Sequence, residues 1–207
     1  MKTIVQIGVA DANDHVYKLI KELNYDVFGI FVEPNKFSIP LIRQRYSELK
    51  TKIISNIAIS KHTGFIDFYL PGDYQNGNSE VASVYKEHLI KHGNPDFFIK
   101  KITVPCFSLN DYLHNMIGMD NFNTIDYMFL DTEGHDCDII QSTDFSKLLV
   151  DEICFEIAHT DGSFTGTETD KYKKTNEHLN SFGFFPISLN TEISSITYKN
   201  KNFKLSN

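Results

Sequence analysis

Thr3-Ile4-Val5-Gln6-Ile7-Gly8-Val9-Ala10-Asp11-Ala12-Asn13-Asp14 sets the architecture of this chain. Ile4, Val5 and Ile7 make a short apolar run that reads as a buried strand. Gly8 ends it, and a small polar turn follows. Asp14 is placed to cap a helix whose apolar residues, Val16, Leu19, Ile20 and Leu23, recur at helical spacing. Strand, glycine turn and helix open a doubly wound α/β domain, in which ligands bind beyond the carboxyl end of such a strand.

The chemistry of the turn narrows the ligand. A dinucleotide site needs closely spaced glycines, so that backbone N–H groups can approach a pyrophosphate. Here Gly8 stands alone, and Asp11 and Asp14 put negative charge where phosphates would lie. The turn is poor for NAD or ATP. It is tolerable for a cofactor without phosphate that carries positive charge, such as S-adenosylmethionine with its sulfonium and ammonium groups. The same residues also read as an ordinary β–α turn with a capping aspartate, and the turn alone does not separate the two.

Moving outward, Val27 to Val32 forms a second apolar strand ending at Glu33 and Pro34. An acidic residue roughly 20 positions past the glycine turn is where a ribose diol is gripped; the other reading of Glu33 is a helix-start carboxylate. Phe37, Leu41, Ile42 and Leu49 mark a second helix, with Pro40 in its first turn. Lys52 to Ser60 gives a third strand and Phe65 to Leu70 a fourth. The short link at His62–Gly64 implies that these two pair antiparallel. Residues 71–101 are irregular, with a helix expected at Val81–Lys91, and read as an insertion that selects substrate. His88 and His92 have the i, i+4 spacing of a metal pair, but with no third ligand nearby they read as an exposed helix face.

Thr103–Phe107 reads as a strand leading into a short helix, Leu109–Leu113. Ile125–Leu130 is a strongly apolar strand that runs into Asp131-Thr132-Glu133-Gly134-His135-Asp136, and Cys137, Ile139 and Ile140 begin the next helix. Asp151–Ala158 is a further strand, bearing Glu156 and ending near His159. After the loop Thr160–Thr167 comes a helix with Tyr172, Asn176, Leu179 and Phe182 on one face, ended by Gly183. Phe184–Leu189 and Ser195–Lys199 are too close in sequence for a crossover of about a dozen residues, so they pair antiparallel. A mostly parallel sheet finishing in an antiparallel hairpin is unusual for a NAD-binding domain and is the arrangement of a class I methyltransferase.

At 207 residues, with 41% hydrophobic and 23% charged, the chain fits one globular domain spanning residues 1–207. A formal net charge of -7 argues against a nucleic-acid binder, which would show a basic face. No apolar run is long enough to span a bilayer, and the first residues lack a signal-peptide core, so no membrane partner is expected. Cys106, Cys137 and Cys154 are odd in number and lack C-x-x-C spacing. They read as small core residues of a reducing compartment, and the cytoplasm is the expected location.

Taken together these segments resemble the FkbM-type family of S-adenosylmethionine-dependent methyltransferases, from about Ile4 to Thr197. Val5-Gln6-Ile7-Gly8 is similar to the family's first motif, Val-Asp-Ile-Gly-Ala-Asn-x-Gly, with Gln6 in place of aspartate and with Ala10 and Ala12 where asparagine and glycine are usual. Phe31-Val32-Glu33-Pro34 resembles its Phe-Glu-Pro, Asn56-Ile57-Ala58-Ile59-Ser60 its Ala-Ile-Ser segment, and Val104-Pro105 with Leu109-Asn110-Asp111 its Val-Pro-x-x-x-Leu-Asp element. Leu130 to Asp136 is similar to Ile-Asp-Val-Glu-Gly-x-Glu, the most specific of the set, and Glu156 matches a glutamate of the next strand.

The resemblance implies a Rossmann-like, seven-stranded class I methyltransferase sheet with helices on both faces. S-adenosylmethionine would lie over the carboxyl ends of the first strands, held by Gln6, Gly8, Ala10, Asp11, Glu33, Pro34, Asn35, Ala58 and Asp131. Family members methylate hydroxyl groups of sugars and small natural products, so the implied partner is a small-molecule or glycan acceptor. An alcohol is a poor nucleophile and gains from a general base or a metal. Asp131, Glu133, His135, Glu156 and His159 are the catalytic candidates, with Asp131 organising the site and His135 or His159 as base. Asp131 and Glu156 also offer a carboxylate pair for Mg²⁺, although each has a metal-free role. Two other readings remain: a catalytically degenerate cofactor-binding or scaffolding subunit of the same fold, and a nucleotide-dependent oxidoreductase, which the lone glycine and the terminal hairpin count against.

Overall fold

The computed structural model describes residues 1–72, 74–76, 80–119, 123–159, 167, 169–192 and 194–203. β1 (Lys2–Ile7) passes through the glycine turn into α1 (His15–Glu22), and β2 (Val27–Val32), α2 (Ile39–Arg45) and β3 (Thr51–Ser55) continue the alternation. Asp14 caps α1 as its sequence position predicts, accepting the Tyr17 N–H at 3.0 Å, and Pro40 lies in the first turn of α2.

Successive residues of β1 point to opposite faces and so serve different layers. Ile4 packs with Val16, Ile20, Ile42 and Tyr46 of the α1–α2 layer. Val5 and Ile7 pack with Leu113, Ile139, Ile140 and Leu179 on the other face. Ile139 and Ile140 belong to α5 (Asp136–Ser142), and Leu179 to α6 (Asp170–Ser181). Burying each such side chain is worth about 1.5–3 kcal/mol, which is what clamps helices to both sides of the sheet.

The remaining strands of the main sheet are β7 (Thr124–Leu130), β8 (Leu149–Glu156), β9 (Phe184–Asn190) and β10 (Ser195–Asn200). The seven strands run in the order β3-β2-β1-β7-β8-β10-β9. β1 is parallel to both β2 and β7, while β10 is antiparallel to β8 and β9, as the terminal hairpin predicts. The chain steps outward from β1 to β3 and later resumes at β7 on the other side of β1. The sheet therefore has its topological switch between β1 and β7, where a crevice opens at the carboxyl ends.

A second, three-stranded sheet corrects the sequence reading. The expected strand over Lys52–Ser60 is two strands, β3 in the main sheet and β4 (Ala58–Ser60) outside it. The break falls at Asn56, whose Nδ2 donates to the carbonyls of Glu33 and Pro34, both at 2.9 Å, and so turns the chain out of the main sheet. β5 (Gly64–Leu70) does not pair with β4. β6 (Lys100–Ser108) lies between them, parallel to β4 and antiparallel to β5. The expected helix over Val81–Lys91 is also shorter: α3 spans Lys86–Lys91. Ser83 instead makes two backbone hydrogen bonds with Tyr69, so this stretch is spent strapping β5. α4 (Leu109–Asp111) continues as a π-helical turn over Tyr112–Met116, one turn longer than the pattern indicates.

Candidate active site

β1 and β7 end side by side, joined by the Asp131 N–H donating to the Ile7 carbonyl at 3.0 Å. Gly8 follows with φ +79°, and a Cβ built there would stand 1.9 Å from the Asp131 carbonyl oxygen. Only glycine fits both the backbone angle and the approach. Ala10 and Ala12 are also left-handed, at φ 47° and 59°. Each costs about 1–2 kcal/mol in that region, which explains why asparagine and glycine are the usual residues in the motif this turn resembles.

Above the strand ends lies a cavity of about 300 Å³. Of the residues predicted to hold cofactor, Gly8, Ala10, Asp11, Glu33, Pro34, Ala58 and Asp131 line it. Ile7, Val32 and Ile59 form apolar wall, while Ala82 and Val84 close it from the 71–101 segment. Asp14, which the sequence reading places at the glycine turn, and Glu80, which it does not assign to the site, add carboxylates to the lining, and none of the described lining residues is lysine or arginine.

Glu33 is buried, and its carboxylate accepts hydrogen bonds from the backbone N–H groups of Asn35 at 2.7 Å, Ala10 at 2.9 Å and Val9 at 3.2 Å. It thereby ties the end of β2 to the glycine turn. Burial pushes its carboxyl up to about 7, with the three donors pulling the other way. Gln6 and Asn35 do not line the cavity. Gln6 donates to Asp14 at 2.6 Å and accepts from the Tyr46 hydroxyl at 3.1 Å on the α1–α2 side. Asn35 braces the β2 end, accepting the Phe37 N–H at 3.1 Å and donating to the Tyr74 carbonyl at 3.3 Å.

The Asp131–Asp136 loop separates roles that the sequence left merged. Asp136 is structural: it accepts from the Thr132 N–H at 2.8 Å and hydroxyl, and from the Glu156 N–H at 3.1 Å, locking the loop to the end of β8. Burial raises its carboxyl to about 7. Asp131 caps nothing. Its side chain makes no hydrogen bond among the described residues and opens into the cavity. Although solvent reaches it through the opening, the dense protein around it, with Glu156, Asp136 and Asp14 adding repulsion, raises its carboxyl well above the usual range. Burial, then Asp131 and Glu156, likewise raise Glu133.

His135 lines the cavity but has both ring nitrogens engaged. Nε2 lies 3.0 Å from Ser60 Oγ, and Nδ1 lies 3.3 Å from Asp138 and 3.4 Å from the Tyr85 hydroxyl. Lys171 completes this group, donating to Asp138 at 2.6 Å and to Tyr85 at 3.1 Å. Burial works against ionisation of Asp138, yet the hydrogen bonds from His135, Lys171 and Tyr85 hold it below the usual carboxylate range. His135 thus anchors the loop between the two sheets.

His88 and His92 are not an exposed pair. His88, on α3, is 1% exposed. Its ring packs against those of His92 and His159, with centroids 4.4 and 4.6 Å away. Its Nε2 stands 2.8 Å from Glu133 Oε2, and His159 Nδ1 lies 3.4 Å from that oxygen and 2.9 Å from Glu156 Oε2. Burial and the neighbouring imidazoles hold His88 down to about 3. The i, i+4 spacing was the available signal. The partners come from 41 or more positions further along the chain, which periodicity does not reach.

The sequence matches the model of the methyltransferase FkbM domain family over residues 6–186. No curated protein matches it. Among solved structures it is similar to a chain in the crystal structure of a fibrillarin/Nop5p complex, at 10% identity over 96% of this chain and 72% of that one, with a TM-score of 0.51. It is also similar to the Methanococcus jannaschii fibrillarin pre-rRNA processing protein, at 9% identity over 97% and 66% of the two chains, with a TM-score of 0.45. At such identities the first of these likenesses is one of fold.

Proposed function

We propose that this chain, which belongs to the FkbM methyltransferase family, transfers a methyl group from S-adenosylmethionine to a hydroxyl group of a sugar or small natural product. The observation that carries the reading is the cavity at the β1–β7 switch, lined by carboxylates and by no described lysine or arginine. Such a lining repels phosphates and favours a cationic ligand. The residues fit the cofactor: Ile7, Val32, Ala58 and Ile59 offer apolar wall for a base, and Glu33 lies at the end of β2 for a ribose diol.

S-adenosylmethionine supplies an activated methyl group on sulfonium. The chain has to hold an acceptor hydroxyl in line with it, since displacement at carbon depends on near-attack geometry. Asp131, uncommitted to other described residues and projecting into the cavity, takes the hydrogen bond of that hydroxyl. His135 does not serve as base in this reading, because Ser60, Asp138 and Tyr85 occupy its ring nitrogens. Glu80, Ala82 and Val84 of the 71–101 segment form the acceptor-side wall and make that segment the selector of substrate.

Calorimetric titration tests this directly with S-adenosylmethionine, S-adenosylhomocysteine and NAD. Both sulfur ligands should bind and NAD should not. A folded protein that ignores both sulfur ligands overturns the reading. Cofactor binding without methylation of any hydroxyl acceptor would leave the degenerate-subunit alternative standing in its place.

A further inference from the structure

We propose that His88, His92, His159 and Glu133 form a binding site for one divalent transition-metal ion, with zinc the best match to the donor set. One donor atom from each residue lies within 4.8 Å of all the others. The four residues come from three separate places: the α3 segment, the loop after β7 and the end of β8. Convergence of three imidazoles and a carboxylate from such distant positions has to be built by the fold.

The geometry at the centre is that of ligands around an ion. Zinc bound at about 2.0–2.1 Å in a tetrahedron sets its donor atoms about 3.3 Å apart. Glu133 Oε2 lies 2.8 Å from His88 Nε2 and 3.4 Å from His159 Nδ1. Despite the first distance, neither Glu133 Oε2 nor His88 Nε2 makes a hydrogen bond, and both atoms are buried. The oxygen is off the line along which an Nε2 proton would point. Buried polar atoms left so cost about 1–3 kcal/mol each, and a native structure rarely tolerates two in contact without a further partner. An ion between them supplies that partner.

The surroundings hold the donors in place. Glu133 has the left-handed φ of 54°, and its carbonyl accepts the Ser83 hydroxyl at 2.8 Å. Glu156 Oε2 lies 2.9 Å from His159 Nδ1 and holds that ring against the end of β8. His92 is exposed while His88 and His159 are buried, so the site opens to solvent on one side, which gives an ion its way in. Imidazole donors select zinc and its neighbours over Mg²⁺, which takes oxygen ligands. The nearby oxygen set Asp131, Glu133 and Glu156 shares Glu133 and is the competing site. A bound ion would fasten α3, and with it the 71–101 segment, to the loop that carries Asp131. This assignment stands apart from the methyl-transfer reading, because its test reads binding.

The test uses the tag-free chain of residues 1–207 dialysed against a chelator and titrated with Zn²⁺, then with Co²⁺ as an optical probe. One Zn²⁺ per chain should bind, and Co²⁺ should give visible d–d absorption that Zn²⁺ displaces. His92→Ala changes an exposed residue and should fold as wild type while weakening Zn²⁺ affinity about 10²-fold, as should Glu133→Gln. His114→Ala, on the π-helical turn and outside the four-residue cluster, should leave affinity unchanged. Folded protein that binds no stoichiometric Zn²⁺ overturns the proposal. So does binding that survives both ligand variants, or Mg²⁺ displacing Zn²⁺ at equal concentration.

Discussion

Gly8 stands so close to Asp131 that a methyl group on its α-carbon would lie 1.9 Å from the Asp131 carbonyl oxygen. The ends of β1 and β7 touch through that pair, and the same contact sets where the Asp131 side chain enters the cavity. Gly8→Ala must relieve a clash with backbone and also adopt φ +79°. The backbone angle alone costs about 1–2 kcal/mol, and separating the strand ends adds to it. We expect a loss above about 2 kcal/mol in urea unfolding, together with loss of S-adenosylhomocysteine binding by whatever protein remains folded. Unchanged binding would show that the strand ends are not the cofactor site.

Asp131→Asn separates function from scaffolding. The side chain makes no hydrogen bond among the described residues and caps no helix, so stability should change by about 1 kcal/mol or less. Turnover should fall about 10²-fold or more, the size typical of a positioned polar group at a reacting centre. The comparison is kcat per folded molecule against the unfolding midpoint. A stable variant with wild-type kcat removes Asp131 from the chemistry.

Glu33 carries a pH signature. Its folded carboxyl is raised to about 7 from an ordinary 4.5, with burial the main cause. Between those values the native state keeps a proton that the unfolded chain has lost, so the contribution is fully present below pH 4.5 and is lost as pH rises through about 7. Each unit of slope is worth up to about 1.4 kcal/mol. Glu33→Gln cannot ionise. Unfolding free energies of the ligand-free proteins at pH 5 and pH 8 should show wild type losing stability relative to the variant. Parallel profiles would mean that Glu33 is ionised throughout.

Lys171 joins α6 to α5 and to the strap before α3 through Asp138 and Tyr85. Its Asp138 partner is only partly exposed, with 23% of the side chain accessible. Lys171→Met leaves that carboxylate short of a charged donor, a loss of about 1.5–3 kcal/mol. Tyr85→Phe should cost less, and the double variant should fall short of the sum because the two share Asp138. Strict additivity in a double-mutant cycle would show that they act separately.

The sequence by itself determined the main sheet. Apolar runs of strand length, the lone Gly8, the Asp14 cap and the closeness of the last two strands are local facts, and each fixes its element by short-range sterics or by chain reach. They suffice for the strands and helices around β1, and for Asp131 at the end of a central strand. What lay beyond was the work of contacts distant in the chain. Asn56 breaks one apolar run into two strands by bonding to carbonyls more than 20 positions earlier. β6 enters between β4 and β5 from 30 or more residues away. Gln6 stays out of the cavity lining, bonded to Tyr46 and Asp14. His88 and His92 read as surface at helical spacing, and only the fold brings His159 and Glu133 against them. Periodicity reports which face of an element is apolar; it carries no information about which polar groups of other elements will meet there.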